Sequence, residues 1–204
     1  IVASVRAAVP PDIPVSAKMR LGVRDASRAI ECAQAIAESG ASRLVVHART
    51  KLDGYAPPAH WHWIARIREA LAGRLPVVAN GEVWTVDDYR RIRAETGCAD
   101  VMIGRGAVAD PFLARRIAAT YSGGVHEVAE GGEWAALHPY LLHFWHAVQG
   151  RMEPRYAPGR LKLWLNALRR SYPEAEALYL ALRPLRECAA IDALLAAQGR
   201  AHDR

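Results

Sequence analysis

Apolar positions along the chain fall into two regimes. Up to about residue 120 they come as short runs that end abruptly in small and polar residues, each followed by a stretch of helical period; beyond that only the helical period remains. The pattern is clearest from Leu75 to Gly106, LPVVANGEVWTVDDYRRIRAETGCADVMIGRG. Pro76-Val77-Val78-Ala79 is too short and too β-branched for a helix and predicts a strand buried on both faces. It breaks at Asn80-Gly81-Glu82. Thr85 then predicts a helix cap, with Asp87 and Asp88 in the first turn, an end near Thr96 and Gly97 as the stop. Val101-Met102-Ile103 predicts a second buried strand that breaks at Gly104-Arg105-Gly106, and Asp110-Pro111 reads as an N-cap followed by proline at the first helical position.

The preceding residues repeat this unit. Val15 to Gly22 predicts a strand ending near Lys18 and Arg20, and a helix follows from about Ala26 to Ser39 with Ile30, Ala33, Ile36 and Ala37 on one face and Gly40 as its stop. Leu44-Val45-Val46 is the next strand, with His47-Ala48-Arg49-Thr50 as its polar end; the loop LDGYAPPAHWHW leads into a helix ending at Gly73. Strands thus begin near residues 15, 44, 76 and 101. A repeat of roughly 30 residues is the unit of a (β/α)₈ barrel, so residues 1–120 predict the carboxyl-terminal half of a TIM barrel. The opening IVASVRAAV reads as the tail of a helix already under way, which places the other half outside this sequence. A half barrel alone would leave two sheet edges unpaired. A doubly wound sheet shares the rhythm, but the glycine fingerprint expected at its first strand-helix turn is absent.

After Thr120 the strand signals stop. Residues 121–132 are glycine-rich and read as a linker, and residues 133–204 predict a small all-helical domain. Its helices fall at about 134–149 with Leu141, Trp145 and Val148 aligned, at 159–170 with Leu161, Trp164, Leu165 and Leu168 aligned, and at about 174–183; Pro184 breaks the pattern before a final short helix.

Composition narrows the function. With 204 residues, 51% of them hydrophobic, the chain can bury a real core. Cys32, Cys98 and Cys188 are far apart and contain no CxxC pair, which argues against a disulfide framework and a zinc site. No signal peptide is legible and no apolar run reaches the roughly 18 residues needed to span a bilayer, so a cytoplasmic protein without membrane or metal, and monomeric, is the expectation. A net charge of +6 is compatible with a polyanion partner, and the helical region is the most basic: residues 151–170 hold Arg151, Arg155, Arg160, Lys162, Arg169 and Arg170 against Glu153.

In a parallel α/β fold the residues just past the carboxyl ends of the strands face the ligand. Here they are Lys18 and Arg20, His47 and Arg49, Asn80 and Glu82, and Arg105: a mouth of cations and amides with one carboxylate. It suits an anionic cofactor rich in hydrogen-bonding groups, with its phosphate at the last two strands, where Gly104 and Gly106 allow close approach beside Arg105. Lys18 would set positive charge against an electron-accepting ring.

KMRLG, VVHART followed by DGY, PVVANGEVW and VMIGRGA, in this order and spacing, closely resemble the tRNA-dihydrouridine synthases, flavin enzymes that reduce a uridine of tRNA with electrons from NADPH. The resemblance covers essentially the whole chain and implies an FMN site at Lys18, His47, Asn80, Gly81, Glu82, Gly104 and Arg105. The loop Thr50–Tyr55 and the helix from Arg160 to Leu165 are similar to the C type, which acts on uridine 16 of the D-loop, although Ala167 stands where that type carries an aromatic residue. By that resemblance Tyr55, Arg160, Lys162 and Arg183 contact tRNA. Arg160 and Lys162 lie off the apolar face of their helix and so are expected to point outward, toward phosphates. The family protonates uracil from a cysteine in a glycine-cysteine-proline motif on the preceding strand. None of the three cysteines here sits in such a motif, so no catalytic residue is assigned within these residues, and the chain alone is expected to be inactive. Three other readings are open: another FMN barrel oxidoreductase acting on a small molecule, similar to dihydroorotate dehydrogenase; a barrel aldolase with Lys18 as Schiff-base nucleophile; and a non-catalytic RNA-binding module.

Overall fold

The computed structural model describes residues 1–123 and 132–202. It divides into two compact units, Ile1–Gly106 and Ala107–Arg204. The expected linker falls mostly on residues 124–131, which lie outside the described residues.

The first unit runs α1 (Val2–Ala8), β1 (Ser16–Arg20), α2 (Ala29–Glu38), β2 (Arg43–His47), α3 (Trp61–Leu71), β3 (Val77–Asn80), α4 (Val86–Thr96) and β4 (Asp100–Met102). All neighbouring strands pair in parallel, in the order β1-β2-β3-β4. A doubly wound sheet reverses its order partway; a sheet that advances one strand per helix is singly wound, as half of a (β/α)₈ barrel is.

The register sorts the side chains by face. Met19, Leu44, Val46, Val77 and Ala79 pack with Ala29 and Ala33 of α2, Ile64, Ile67 and Leu71 of α3, and Ile92 of α4 in one buried cluster. The alternate positions therefore share the opposite face, and Arg20, His47, Asn80 and Met102 are aligned across all four strands at their carboxyl ends. Period-two alternation thus puts grease on the helix side and chemistry on the other. The cap at α4 is as the sequence indicates. Thr85 Oγ1 accepts from Asp88 N at 3.0 Å while Asp88 Oδ2 accepts from Thr85 N at 3.0 Å, and Gly97 ends the helix in the left-handed region at φ 67°.

Two local expectations are corrected. Gly104-Arg105-Gly106 is more than a turn, because a short helix α5 (Arg105–Ala109) starts at Arg105. Asp110-Pro111 makes a turn in which Phe112 N donates to Asp110 Oδ1 at 3.1 Å, and α6 (Leu113–Ser122) begins only after it. The Asp110 carboxylate is drawn inward instead, toward Arg116 and toward the Tyr172 hydroxyl, which donates to it at 3.0 Å.

The second unit holds α6, α7 (Gly132–Gln149), α8 (Ala157–Leu168), α9 (Pro173–Leu182) and α10 (Cys188–His202). Leu137, Leu141 and Trp145 of α7, Leu161, Leu165 and Leu168 of α8, Leu178 and Leu182 of α9, and Ile191 and Leu195 of α10 form its buried core. The last helix has 15 residues, longer than expected, because the alanine-rich stretch after Cys188 is a strong helix former whose Ile191 and Leu195 complete that core. No helix among the described residues is long and apolar enough to cross a membrane.

Candidate functional site

A cavity of about 410 Å³ opens at the carboxyl ends of the four strands, within the range of small-molecule sites. Its lining contains every residue expected to meet the cofactor: Lys18, His47, Asn80, Gly81, Glu82, Gly104 and Arg105. Tyr55 lines it as well.

The side chains interlock across the strands. Lys18 Nζ donates to Asn80 Oδ1 at 3.0 Å, and Asn80 Nδ2 donates to the Met102 carbonyl at 2.8 Å, so one amide links β1 to β4. Lys18 is exposed at the mouth, yet surrounding atoms desolvate its ammonium enough to lower its pKa, with the charge of Arg20 adding to the effect. The hydrogen bond to Asn80 fixes the position of its Nζ at the mouth. His47 is buried, and its pKa is pushed down to about 4 by that burial and by the nearby charges of Arg20, Lys18, Arg49 and Arg105. At neutral pH it is an uncharged imidazole in a cationic mouth.

Gly81 and Glu82 form the turn after β3 in the left-handed half of backbone space, at φ 131° and φ 57°. A side chain on Gly81 would press on Ala59 Cβ and His47 Cδ2 at 3.3 Å, and the Gly81 carbonyl accepts from Trp61 Nε1 at 2.9 Å. The Glu82 carboxylate pairs with Arg49 and accepts from Trp84 Nε1 at 2.8 Å. Burial alone would raise its pKa; the hydrogen bonds from Arg49 and Trp84 and the charges of Arg49 and Arg105 outweigh burial and hold it below the ordinary glutamate range.

The two glycines flanking Arg105 differ. A Cβ on Gly106 would collide with the Val83 carbonyl, so that glycine is needed by the protein itself. A Cβ on Gly104 meets nothing within 4 Å. The Arg105 guanidinium lies over the rings of Tyr55, 4.5 Å from its centroid, and Trp84, at 5.1 Å, and Arg20 approaches Tyr55 from 5.4 Å. Tyr55 is 61% exposed and stands at the mouth.

Sequence reasoning placed Arg49 at the mouth without a role of its own and did not name Trp84. Arg49 is visible as a strand-end cation, and Trp84 follows the NGE triplet directly, but their shared hold on Glu82 exists only in three dimensions. No cysteine lines the cavity; Cys98 is buried beside Thr96.

The positions expected to meet tRNA in the second unit are less uniform. Arg160 is exposed on α8 and Arg183 is exposed at the carboxyl end of α9. Lys162 does not project freely: its Nζ donates to the carbonyls of Arg183 at 3.0 Å and Leu185 at 2.5 Å, capping the end of α9. A hollow of about 660 Å³ beside it is lined by Arg155, Lys162 and Arg186 together with Glu187. Arg155 is neutralised by Glu153 at 2.9 Å and Arg169 is paired with Glu176.

The family model described as "Dihydrouridine synthase (Dus)" matches residues 1–142. The chain is 55% identical over 196 residues to the tRNA-dihydrouridine(16) synthase of Aquipseudomonas alcaligenes, covering 96% of this chain and 61% of that protein. It is 54% identical over 195 residues to the corresponding protein of Pseudomonas syringae pv. tomato, with 96% and 60% covered, and 41% identical over 197 residues to that of Neisseria meningitidis serogroup B, with 96% and 58% covered. The chain therefore spans about 60% of the length of these curated relatives.

Proposed function

The chain belongs to the dihydrouridine synthase family, and on that premise we propose that its strand-end cavity is the greater part of an FMN site, in a protein that reduces uridine 16 in the D-loop of tRNA to dihydrouridine with electrons from NADPH. The observation that carries this reading is the convergence of Lys18, His47, Asn80, Gly81, Glu82, Gly104 and Arg105 on one cavity.

The donor set fits the group. Arg105 and the open space over Gly104 suit a phosphate, because a guanidinium recognises phosphate through paired N–H donors and no side chain blocks the backbone there. The Lys18 ammonium, fixed by Asn80, is placed to hold positive charge against a reducible ring. His47, uncharged at neutral pH, offers one donor and one acceptor without adding to a mouth already rich in cations. Bound there and reduced by NADPH, FMN would supply the hydride for the uracil double bond. The proton is assigned to none of Cys32, Cys98 or Cys188, since none lines the cavity.

A base reaches such a site only when turned out of the tRNA. Tyr55, exposed at the mouth, offers a ring for it to stack on or lean against. Arg160 and Arg183 would hold the tRNA backbone, with Lys162 shaping the chain that presents Arg183.

Absorption spectra of the full-length protein carrying this sequence, as purified, test the reading. A flavin spectrum that weakens in both Lys18→Ala and Arg105→Ala is expected. A colourless parent that cannot be reconstituted with FMN would sink it.

A further inference from the structure

The turn that faces the proposed cofactor is held by Arg49, a residue of VVHART that also lines the cavity and to which the resemblance gives no role. Glu82 sits in left-handed backbone space, a conformation that non-glycine residues adopt only when their surroundings impose it. Its carboxylate is gripped by Arg49 from the end of β2 and by Trp84 from its own loop. The Arg49 side chain has no exposed surface: Nε donates to the Ala56 carbonyl at 2.7 Å, Nη2 pairs with Glu82, and Nη1 is buried with no hydrogen-bond partner. A buried guanidinium with an unmet donor is a poor choice for stability alone, because well-packed apolar residues commonly replace buried ion pairs without loss. Something other than stability therefore accounts for an arginine here.

Resting on the FMN reading above, we propose that Arg49 is a positioning residue for the cofactor site: by clamping Glu82 it fixes the Asn80–Gly81–Glu82 turn so that the turn's backbone faces the cavity. The grip works at both ends. Arg49 ties the loop carbonyl of Ala56 to Glu82, so the same guanidinium sets the spacing between the β2 loop, which carries Tyr55, and the β3 turn. The other anchors leave the carboxylate alone: Trp61 holds the Gly81 carbonyl, Ala48 N the Asn80 carbonyl at 3.0 Å, and Lys18 and the Met102 carbonyl the Asn80 side chain.

The charges facing Glu82 decide what removal of Arg49 does. They are Arg49 at the end of β2 and Arg105 at the start of α5; Lys18 and Arg20 of β1 and His47 of β2 line the same cavity. Without Arg49, burial of the carboxylate is opposed only by Trp84 and Arg105, so the Glu82 pKa rises. Above that pKa the unpaired anion pulls toward water and away from the cavity wall; below it the neutral acid stays.

The test is FMN titration of the full-length protein from pH 5 to 9, with urea unfolding alongside, for the parent, Arg49→Met, Arg49→Lys and the double variant Arg49→Met/Glu82→Gln. Arg49→Met is expected to weaken FMN by about tenfold at pH 8, the worth of one charge-assisted hydrogen bond. The loss should shrink toward pH 5. The double variant, which has no carboxylate to titrate at position 82, should lose the pH dependence and unfold at the parent's urea concentration. An Arg49→Met protein that matches the parent across the range overturns the proposal, as does a loss that is flat with pH. If Arg49→Met does not fold, Arg49→Lys decides: its single ammonium cannot serve both Ala56 and Glu82, so parent-like affinity in it overturns the proposal and an intermediate affinity supports it. A parent that takes up no FMN overturns the flavin reading itself, and this inference falls with it; a parent that binds FMN while the variants match it overturns this inference alone.

Discussion

The two units carry their charge in opposite ways. In the first, Lys18, Arg20, His47, Arg49, Glu82 and Arg105 gather round one cavity, and most are tied to a neighbour: Lys18 to Asn80, Arg20 to the carbonyls of Thr50 at 2.7 Å and Gly54 at 3.0 Å, Arg49 to Glu82, Arg105 to two aromatic rings. In the second, an apolar core of leucines and Trp145 carries exposed cations such as Arg160 on α8 and Arg183 at the end of α9, which share no cavity. A parallel sheet forces the first arrangement, since strands about 4.8 Å apart bring their ends together. A helical cluster spreads its polar residues over a wide surface. The contrast separates two kinds of recognition: a small ligand needs fixed, convergent groups, whereas a long polyanion needs many loosely held charges. Changes in the first unit should therefore propagate through shared partners, and changes in the second should add.

The sharpest break should come at Gly106. A Cβ there meets the Val83 carbonyl, which is backbone and cannot swing away. Gly106→Ala should cost about 3 kcal/mol of stability and abolish FMN uptake together, as overpacking does when backbone must move. Gly104→Ala is the control, because its Cβ enters open space and its stability change should stay within about 0.5 kcal/mol. If Gly104→Ala nevertheless loses FMN, the space over Gly104 belongs to the ligand. Urea unfolding and flavin absorption of both variants distinguish these cases, and a stable, flavin-bearing Gly106→Ala would refute the close approach.

A smaller effect is expected from acid. His47 has its pKa lowered to about 4 from an ordinary 6.5, so between those values the unfolded chain takes up a proton that the folded chain refuses. Its contribution is complete above pH 6.5 and declines as the pH falls toward 4. Unfolding measured from pH 7 down to pH 5, above the range where the carboxylates titrate, should show this decline in the parent and a flatter profile in His47→Gln. A slope unchanged by the substitution would mean that the imidazole is not held neutral by its burial and its four cationic neighbours.

How much of this was legible in the sequence follows the same division. The strands of the first unit and their polar ends could be read because short β-branched runs broken by Asn-Gly-Glu or Gly-Arg-Gly have few other solutions, and fixed strand spacing then carries sequence position into space. The start of α5 was hidden because Gly-Arg-Gly has the composition of a turn. The Asp110-Pro111 signal misled because the carboxylate had better partners in Arg116 and Tyr172 than the helix end next to it. Arg49 could be seen as a charge, but its grip on Glu82 depends on a loop path that no periodicity encodes. Lys162 shows the limit in the second unit: helical spacing gives its face correctly, yet the groups that capture it are backbone carbonyls of a distant turn.

That capture gives the smallest and most discriminating effect. Arg160 and Lys162 are two residues apart on α8, and the spacing alone treats them as equivalent phosphate contacts. The structure separates them: Arg160 is exposed, whereas burial and the charge of Arg186 lower the Lys162 pKa while two carbonyls occupy its ammonium. Arg160→Ala should therefore leave stability unchanged, weaken tRNA binding severalfold, and reduce the slope of log affinity against log salt by about one, as loss of a single phosphate contact does. Lys162→Ala should keep that slope and instead lose about 1 kcal/mol of stability, because the end of α9 loses its cap. Arg183→Ala should behave like Arg160→Ala, and the two losses should add in the double variant, since the side chains belong to different helices. Filter binding of tRNA to the full-length protein between 50 and 200 mM salt, roughly the range over which counterion release is read, resolves a change of one in slope. Equal slopes in Arg160→Ala and Lys162→Ala would mean that the lysine leaves its carbonyls to meet RNA, and the end of α9 would then rearrange on binding.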